Sequence, residues 1–199
     1  MAKSVTGVDR NPRALEFSRA NSALNGQDGM LELLPGDLYE PVAGRRFDLI
    51  LVNPPFELKP EGAAWFAHSD GGEDGLDVIR RILPATEGHL SPGGRFEMIT
   101  WSPASPRGPA LTPLLIEAFP GARITLDYVQ ELPLEPEVRH FEDSAGYADW
   151  RSRLQKRGLD RILLIFARVD TAAAAGIEIR NPEAEIAACE SICDGWGQA

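Results

Sequence analysis

The chain has 199 residues, 43% of them apolar and 25% charged, and a formal net charge of −10. That length suits one domain with a real core. No run of about 18 apolar residues would span a bilayer, Met1-Ala2-Lys3-Ser4 lacks the apolar stretch of a secretory signal, and the acidic balance argues against a broad nucleic-acid footprint. The expected compartment is the cytoplasm, with no membrane partner. The acidity is uneven. From residue 170 onward, Asp170, Glu178, Glu183, Glu185, Glu190 and Asp194 stand against Arg180 alone. Arg151, Arg153, Lys156, Arg157 and Arg161 form a local basic cluster, read as a solvated helix face. Cys189 and Cys193 are four apart with no His or third Cys nearby. They read as reduced thiols rather than a zinc site, and no metal is expected.

In chain order, strand-like and helix-like segments alternate, which predicts an α/β fold with a largely parallel sheet. Ser4 to Val8 reads as a strand. Asn11-Pro12 reads as an N-cap with proline in the first turn, opening a helix that stops at Asn25-Gly26. Met30 to Leu34 is a second strand, closed by Pro35-Gly36. The third, Phe47 to Val52, is nearly all apolar, as befits a strand buried on both faces. Residues 54–74 are a Pro- and Gly-rich loop. Leu76 to Leu90 has helical spacing, with Pro84 as a kink, and Ser91-Pro92-Gly93-Gly94 is a turn. Arg95 to Trp101 is a strand, 102–109 a loop, Leu111 to Phe119 a short helix and Arg123 to Gln130 a strand. Residues 143–157 are helical, and Arg161 to Val169 is the last strong strand. The expected organisation is one domain over 1–169, then an acidic tail or small appended element over 170–199.

Three strand ends carry polar residues: Asp9, Asp37 and Asn53. In open α/β sheets ligands bind outside the carboxyl ends of the strands. An acidic residue there can accept hydrogen bonds from both ribose hydroxyls of a nucleoside, a role open to Asp9, although taken alone the residue is better explained by a capping role in Asp9-Arg10-Asn11-Pro12. Asp37 is either an acceptor for an adenine amino group or a turn residue. Asn53-Pro54-Pro55-Phe56 is more specific. Two prolines fix φ and remove two backbone donors, and Asn53, before proline, is held extended. Its side-chain carbonyl can accept a hydrogen bond from a substrate N–H, and Phe56 can stack on a planar group. Such a loop suits a flat amide or amine nitrogen. His68, His89 and His140 are isolated and receive no role. Trp65, Phe66 and Trp101 fit either a substrate pocket or the core.

Together, Val5 to Leu15, Asn21, Asn25-Gly26, Gly36-Asp37-Leu38, Phe47 to Ile50 and the Asn-Pro-Pro-Phe loop resemble class I S-adenosylmethionine-dependent methyltransferases of the methyltransferase small-domain group. Gly71-Gly72-Glu73-Asp74-Gly75-Leu76-Asp77 with Arg80-Arg81-Ile82-Leu83 is similar to the release-factor glutamine methyltransferase branch. The resemblance implies a Rossmann-like, mostly parallel sheet with an antiparallel last strand, and S-adenosyl-L-methionine as cofactor. It implies cofactor binding by Asp9, Arg10, Asn11, Asp37, Leu38 and Asn53. It also implies an acceptor site at Asn53, Pro54, Pro55 and Phe56. The acceptor it implies is a planar nitrogen of a protein glutamine, a nucleobase or a small molecule. The basic cluster keeps RNA among the partners.

The family pattern begins with an earlier strand and a Gly-rich loop, placed between the strand ending at Asp9 and the one ending at Asn53. This sequence lacks both. Three outcomes are expected: a longer protein, a partner chain that supplies the strand, or direct pairing of the two neighbours. The alternative to an enzyme is a truncated, non-catalytic methyltransferase-like module that needs a partner chain.

Overall fold

The fold, obtained as a computed structural model, describes residues 2–27 and 29–180. It divides into two units, Met1–Arg45 and Arg46–Ala199. In the first, β1 (Val5–Asp9) and β2 (Leu31–Pro35) form a parallel pair, in register from Val5 with Leu31 to Asp9 with Pro35. Helix α1 (Pro12–Leu24) makes the crossover. Asn11 caps it by accepting a hydrogen bond from the Arg13 N–H, and Pro12 occupies its first turn. Leu15 and Val42 are buried here, whereas Phe17 and Leu24 are exposed.

In the second unit the sheet runs β3-β4-β7-β6-β8, with β5 (Gly108–Pro109) paired to β4. Its members are β3 (Phe47–Val52), β4 (Leu90–Ser105), β6 (Arg123–Pro133), β7 (Arg161–Asp170) and β8 (Gly176–Arg180). β3 is parallel to β4, and β8 to β6. β7 runs antiparallel to both β4 and β6, the orientation expected of it. The sheet is therefore mixed. Helices α2 (Asp77–Thr86) and α3 (Leu111–Ala118) supply Ile79, Ile82, Leu83, Leu111 and Leu115 to the core. The rings of Phe96 on β4 and Phe119 lie 5.7 Å apart. A second apolar cluster joins Leu58, Phe141 and Ile162 to Leu134 and Val138 of α4 (Leu134–Arg139) and to Trp150 and Leu154 of α5 (Tyr147–Lys156).

Several expectations change. β3 is not buried on both faces. It is an edge strand, paired only with β4 among the described residues, and Leu49 and Leu51 are 41% and 67% exposed. A strand's apolar run is covered only when ladders flank it and side chains pack on both faces. Here one flank and the Leu49–Leu51 face are open. β1 and β3 fall in different units and in different sheets. β4 begins earlier and ends later than its pattern suggests. The Ser91–Gly94 turn lies within it as an irregularity, because Phe47 pairs with Leu90 but Leu49 with Arg95. Helix α4 was not legible, and the helix expected over 143–157 covers only Tyr147–Lys156. Gly176–Arg180 is a strand within the stretch read as a tail. Cys189 and Cys193 lie outside the described residues.

Candidate functional site

In the first unit, Asp9 ends β1. Its Oδ1 accepts the Asn11 N–H at 2.7 Å, forming the tight turn into α1. The residue is exposed, and its Oδ2 has no protein partner among the described residues. Its carboxylate thus has a local structural job and keeps one oxygen for a ligand. Asn11 is committed to the helix cap through its own Oδ1. Arg10 is exposed, with no side-chain hydrogen bond or ion pair among the described residues. The next strand end is coupled to the first, because Gly36 N donates to the Asp9 carbonyl at 3.1 Å. Asp37 and Leu38 follow directly, both half-buried. Among the described residues, Leu38 is the one non-glycine with positive φ, at +49°. A β-carbon is strained there, and such outliers persist where the surroundings over-determine them, often at ligand sites. An exposed strand-end carboxylate with an uncommitted oxygen and a strained turn beside it fit the nucleoside part of S-adenosylmethionine.

In the second unit, Asn53 leaves the carboxyl end of β3. It is exposed, and its side chain has no hydrogen bond among the described residues. Pro54 is buried, and Pro55 and Phe56 are half-buried. The loop doubles back on itself. Glu57 N donates to the Ser69 carbonyl at 2.7 Å, Gly71 N to the Glu57 carbonyl at 2.9 Å, and Lys59 N to the Gly72 carbonyl at 3.0 Å. Gly71 and Gly75 close on Phe56 so tightly that only hydrogen fits. A Cβ at Gly71 would stand 2.8 Å from the Phe56 Cα, and one at Gly75 would stand 2.4 Å from the Phe56 carbonyl oxygen.

The far side of that turn is gripped by side chains that the sequence reading left without a role. Asp74 is 5% exposed. Its Oδ1 accepts from Leu76 N and from Arg80 Nη1, the latter at 2.8 Å. Its Oδ2 accepts from Arg80 Nη2 at 2.6 Å and Arg157 Nη1 at 2.9 Å. Burial opposes ionisation of this carboxyl, but the hydrogen bonds and charges of Arg80 and Arg157 outweigh it and hold it below the ordinary carboxylate range. Trp150 Nε1 donates to the Glu73 carbonyl at 2.7 Å, and Arg153 pairs with the Glu73 carboxylate. Trp150, Arg153 and Arg157 recur at three and seven residues, one side of α5. That spacing, with Gly71-Gly72-Glu73-Asp74-Gly75, was the available signal.

The basic cluster is largely exposed, as expected, but its arginines are paired with carboxylates. Arg153 and Arg157 serve Glu73 and Asp74, Arg151 pairs with Glu135, and Arg161 pairs with Asp160 and Glu131. Trp101 packs against the second core cluster, and Trp65 and Phe66 are exposed with rings 5.7 Å apart. Among the described residues no group of His, Cys, Asp or Glu is arranged to hold a metal, and no helix is long and apolar enough to cross a membrane.

Parallel crossovers from strand through helix to strand, with polar residues at the strand ends, define an α/β class. The chain belongs to the methyltransferase small domain family, whose model matches residues 1–112. It is 38% identical over 99 residues to the release factor glutamine methyltransferase of Geobacter sulfurreducens, covering 45% of this chain and 34% of that protein. It is 40% identical over 100 residues to the ribosomal protein uL3 glutamine methyltransferase of Bradyrhizobium diazoefficiens, covering 46% of this chain and 31% of that one. The chain thus spans about a third of the length of these two curated relatives. Similar solved structures include ribosomal protein L11 methylase from Lactobacillus delbrueckii subsp. bulgaricus, with TM-score 0.41, 18% identity and coverage of 82% of this chain and 57% of that one. Another is geranyl diphosphate C-methyltransferase from Streptomyces coelicolor A3(2), solved with S-adenosyl-L-homocysteine, with TM-score 0.46, 10% identity and coverage of 84% and 64%.

Proposed function

We propose that this chain carries an S-adenosylmethionine-dependent N-methyltransferase site whose acceptor is the side-chain amide nitrogen of a protein glutamine, working in the cytoplasm. The observation that carries the reading is Asn53. It is an exposed side chain with no hydrogen bond among the described residues, at the end of a strand and stiffened by Pro54 and Pro55. The names of the relatives above favour glutamine over a nucleobase, and the pairing of the basic cluster with carboxylates removes the feature that pointed to RNA.

S-adenosylmethionine, when bound, supplies a methyl group on a sulfonium, open to in-line displacement. Asp9 would hold the ribose hydroxyls through its uncommitted oxygen, and Asp37 with Leu38 would flank the adenine. Asn53 accepts one N–H of the acceptor amide through its side-chain carbonyl, and a backbone carbonyl of the proline loop takes the second. Phe56 lies against the flat amide. An amide nitrogen held in this way would take the methyl group as its C–S bond breaks, with S-adenosylhomocysteine as the leaving group and one N–H proton passing to solvent, and orientation of this kind lowers a barrier by several kcal/mol without a strong base. Calorimetry of the intact gene product with S-adenosylhomocysteine tests the cofactor half, and absence of heat at millimolar ligand sinks it. Asn53→Ala should lower transfer of labelled methyl to a bacterial release factor by about 10²-fold while leaving S-adenosylhomocysteine affinity and thermal unfolding unchanged. Undiminished transfer would remove Asn53 from the acceptor site.

One observation favours a second reading, the open flank of β3 with Leu49 and Leu51 exposed beside it. In that reading the chain is a non-catalytic module completed by a strand of a partner chain. Native mass spectrometry of the gene product purified from its own cells separates the two. A stoichiometric hetero-complex without methyl transfer by this chain supports the module, and a monomer that transfers methyl ends it.

A further inference from the structure

We propose that Asp74 is a positioning residue for methyl transfer: clasped by Arg80 and Arg157, it holds the Gly71–Gly75 turn against Phe56 and so sets where the acceptor nitrogen is presented. This rests on the Asn53–Phe56 loop being the acceptor site. The mechanical path is short. Asp74 receives two hydrogen bonds from Arg80 and one from Arg157. Its neighbour Gly75 meets the Phe56 carbonyl with no room for a methyl group, and Gly71 meets the Phe56 Cα in the same way. Gly71 N also bonds the Glu57 carbonyl, one residue beyond Phe56. A shift of Asp74 is therefore passed to Phe56 through backbone in van der Waals contact, with no flexible side chain between to absorb it. Trp150 and Arg153 fix Glu73 from the same helix, so α5 sets both the height and the tilt of the turn.

Stability alone does not account for this arrangement. Removing a carboxylate from water is costly, and well-packed apolar groups often replace a buried ion pair without loss. What the clasp supplies is location. A displacement of about 1 Å at a reacting group is enough to cost about 10²-fold in rate.

The test uses the intact gene product carrying Arg157→Gln, Asp74→Asn or Asp74→Glu. Amide exchange of Glu57, Lys59 and Gly71 should quicken at least tenfold in Arg157→Gln and Asp74→Asn, while Met98 and Ala167 on the paired strands β4 and β7 stay protected. The kcat for transfer of labelled methyl from S-adenosylmethionine to a bacterial release factor should fall tenfold to a hundredfold, with KM for S-adenosylmethionine unchanged. Asp74→Glu, which restores the charge, should recover part of it. Arg157 is half-exposed and its replacement leaves the Arg80 pair, so this variant carries the test if Asp74→Asn does not fold. Loop amides protected as in the parent overturn the proposal, and so does faster exchange with unchanged kcat. A parent protein that transfers no methyl defeats the function proposed above, and the exchange measurement still decides whether the clasp sets the loop.

Discussion

Two polar residues in and beside the Asn53–Phe56 loop have opposite circumstances. Asn53 is exposed and has no side-chain hydrogen bond among the described residues, so replacing it should leave the fold undisturbed. Asp74 is buried and saturated, so replacing it disturbs a whole turn. The difference gives Asp74 a pH signature. Its carboxyl titrates lower in the folded protein than in the unfolded chain, where a value of about 4 applies. The charged form is therefore the one that folding favours. Its contribution is complete above the unfolded value and is lost as pH falls through the lower, folded value. Arg80, Arg157 and Asp77 are the charged groups linked directly in this cluster. Urea unfolding of the parent and of Asp74→Asn between pH 3 and 7 should give curves that converge as the acid limit is approached. A stability difference that does not vary with pH would contradict the ionised form of Asp74 as the stabilising one.

At the level of elements, β3 has the bounds its sequence predicts but not the burial, and β4 runs past both of its expected ends. β4 has ladders on both sides, and Phe96 and Met98 are fully buried. β3 has the more apolar sequence but, among the described residues, one ladder. Phe96→Ala should cost about 3–5 kcal/mol and Leu51→Ala less than about 1 kcal/mol, as measured by chemical denaturation. A large loss at Leu51 would show that the exposed face is covered in solution. Hydrophobic pattern reports what a residue tolerates, and coverage depends on which neighbours arrive. That is why the crossover of α1, the Asn11 cap and the Asn53 loop were legible from sequence, because each is set by residues within a few positions. The open flank of β3 and the Asp74 clasp were not, because each depends on contacts made, or missing, far along the chain. Helix α4 escaped for a different reason: its six residues are too few to display a period.

Across the whole molecule, net charge is a poor guide to surface chemistry. The arginines of the 151–161 stretch form a basic cluster in sequence, yet four carboxylates from elsewhere in the chain meet them, those of Glu73, Asp74, Glu131 and Glu135. The two units also differ in how they are held. The Met1–Arg45 unit buries few apolar side chains, Leu15 and Val42 among them, whereas α2, α3 and the strands β4, β6 and β7 share an extensive core.

The clasp also puts the acceptor loop on a timetable. Asp74 and Arg157 are 83 residues apart, and a ribosome adds about 5–20 residues each second. Asp74 is therefore synthesised roughly 4–17 s before the arginine that completes its support. Until Arg157 emerges, Arg80 is the arginine that holds Asp74. The arginine that completes the clasp on Asp74 is thus made well after the turn it holds.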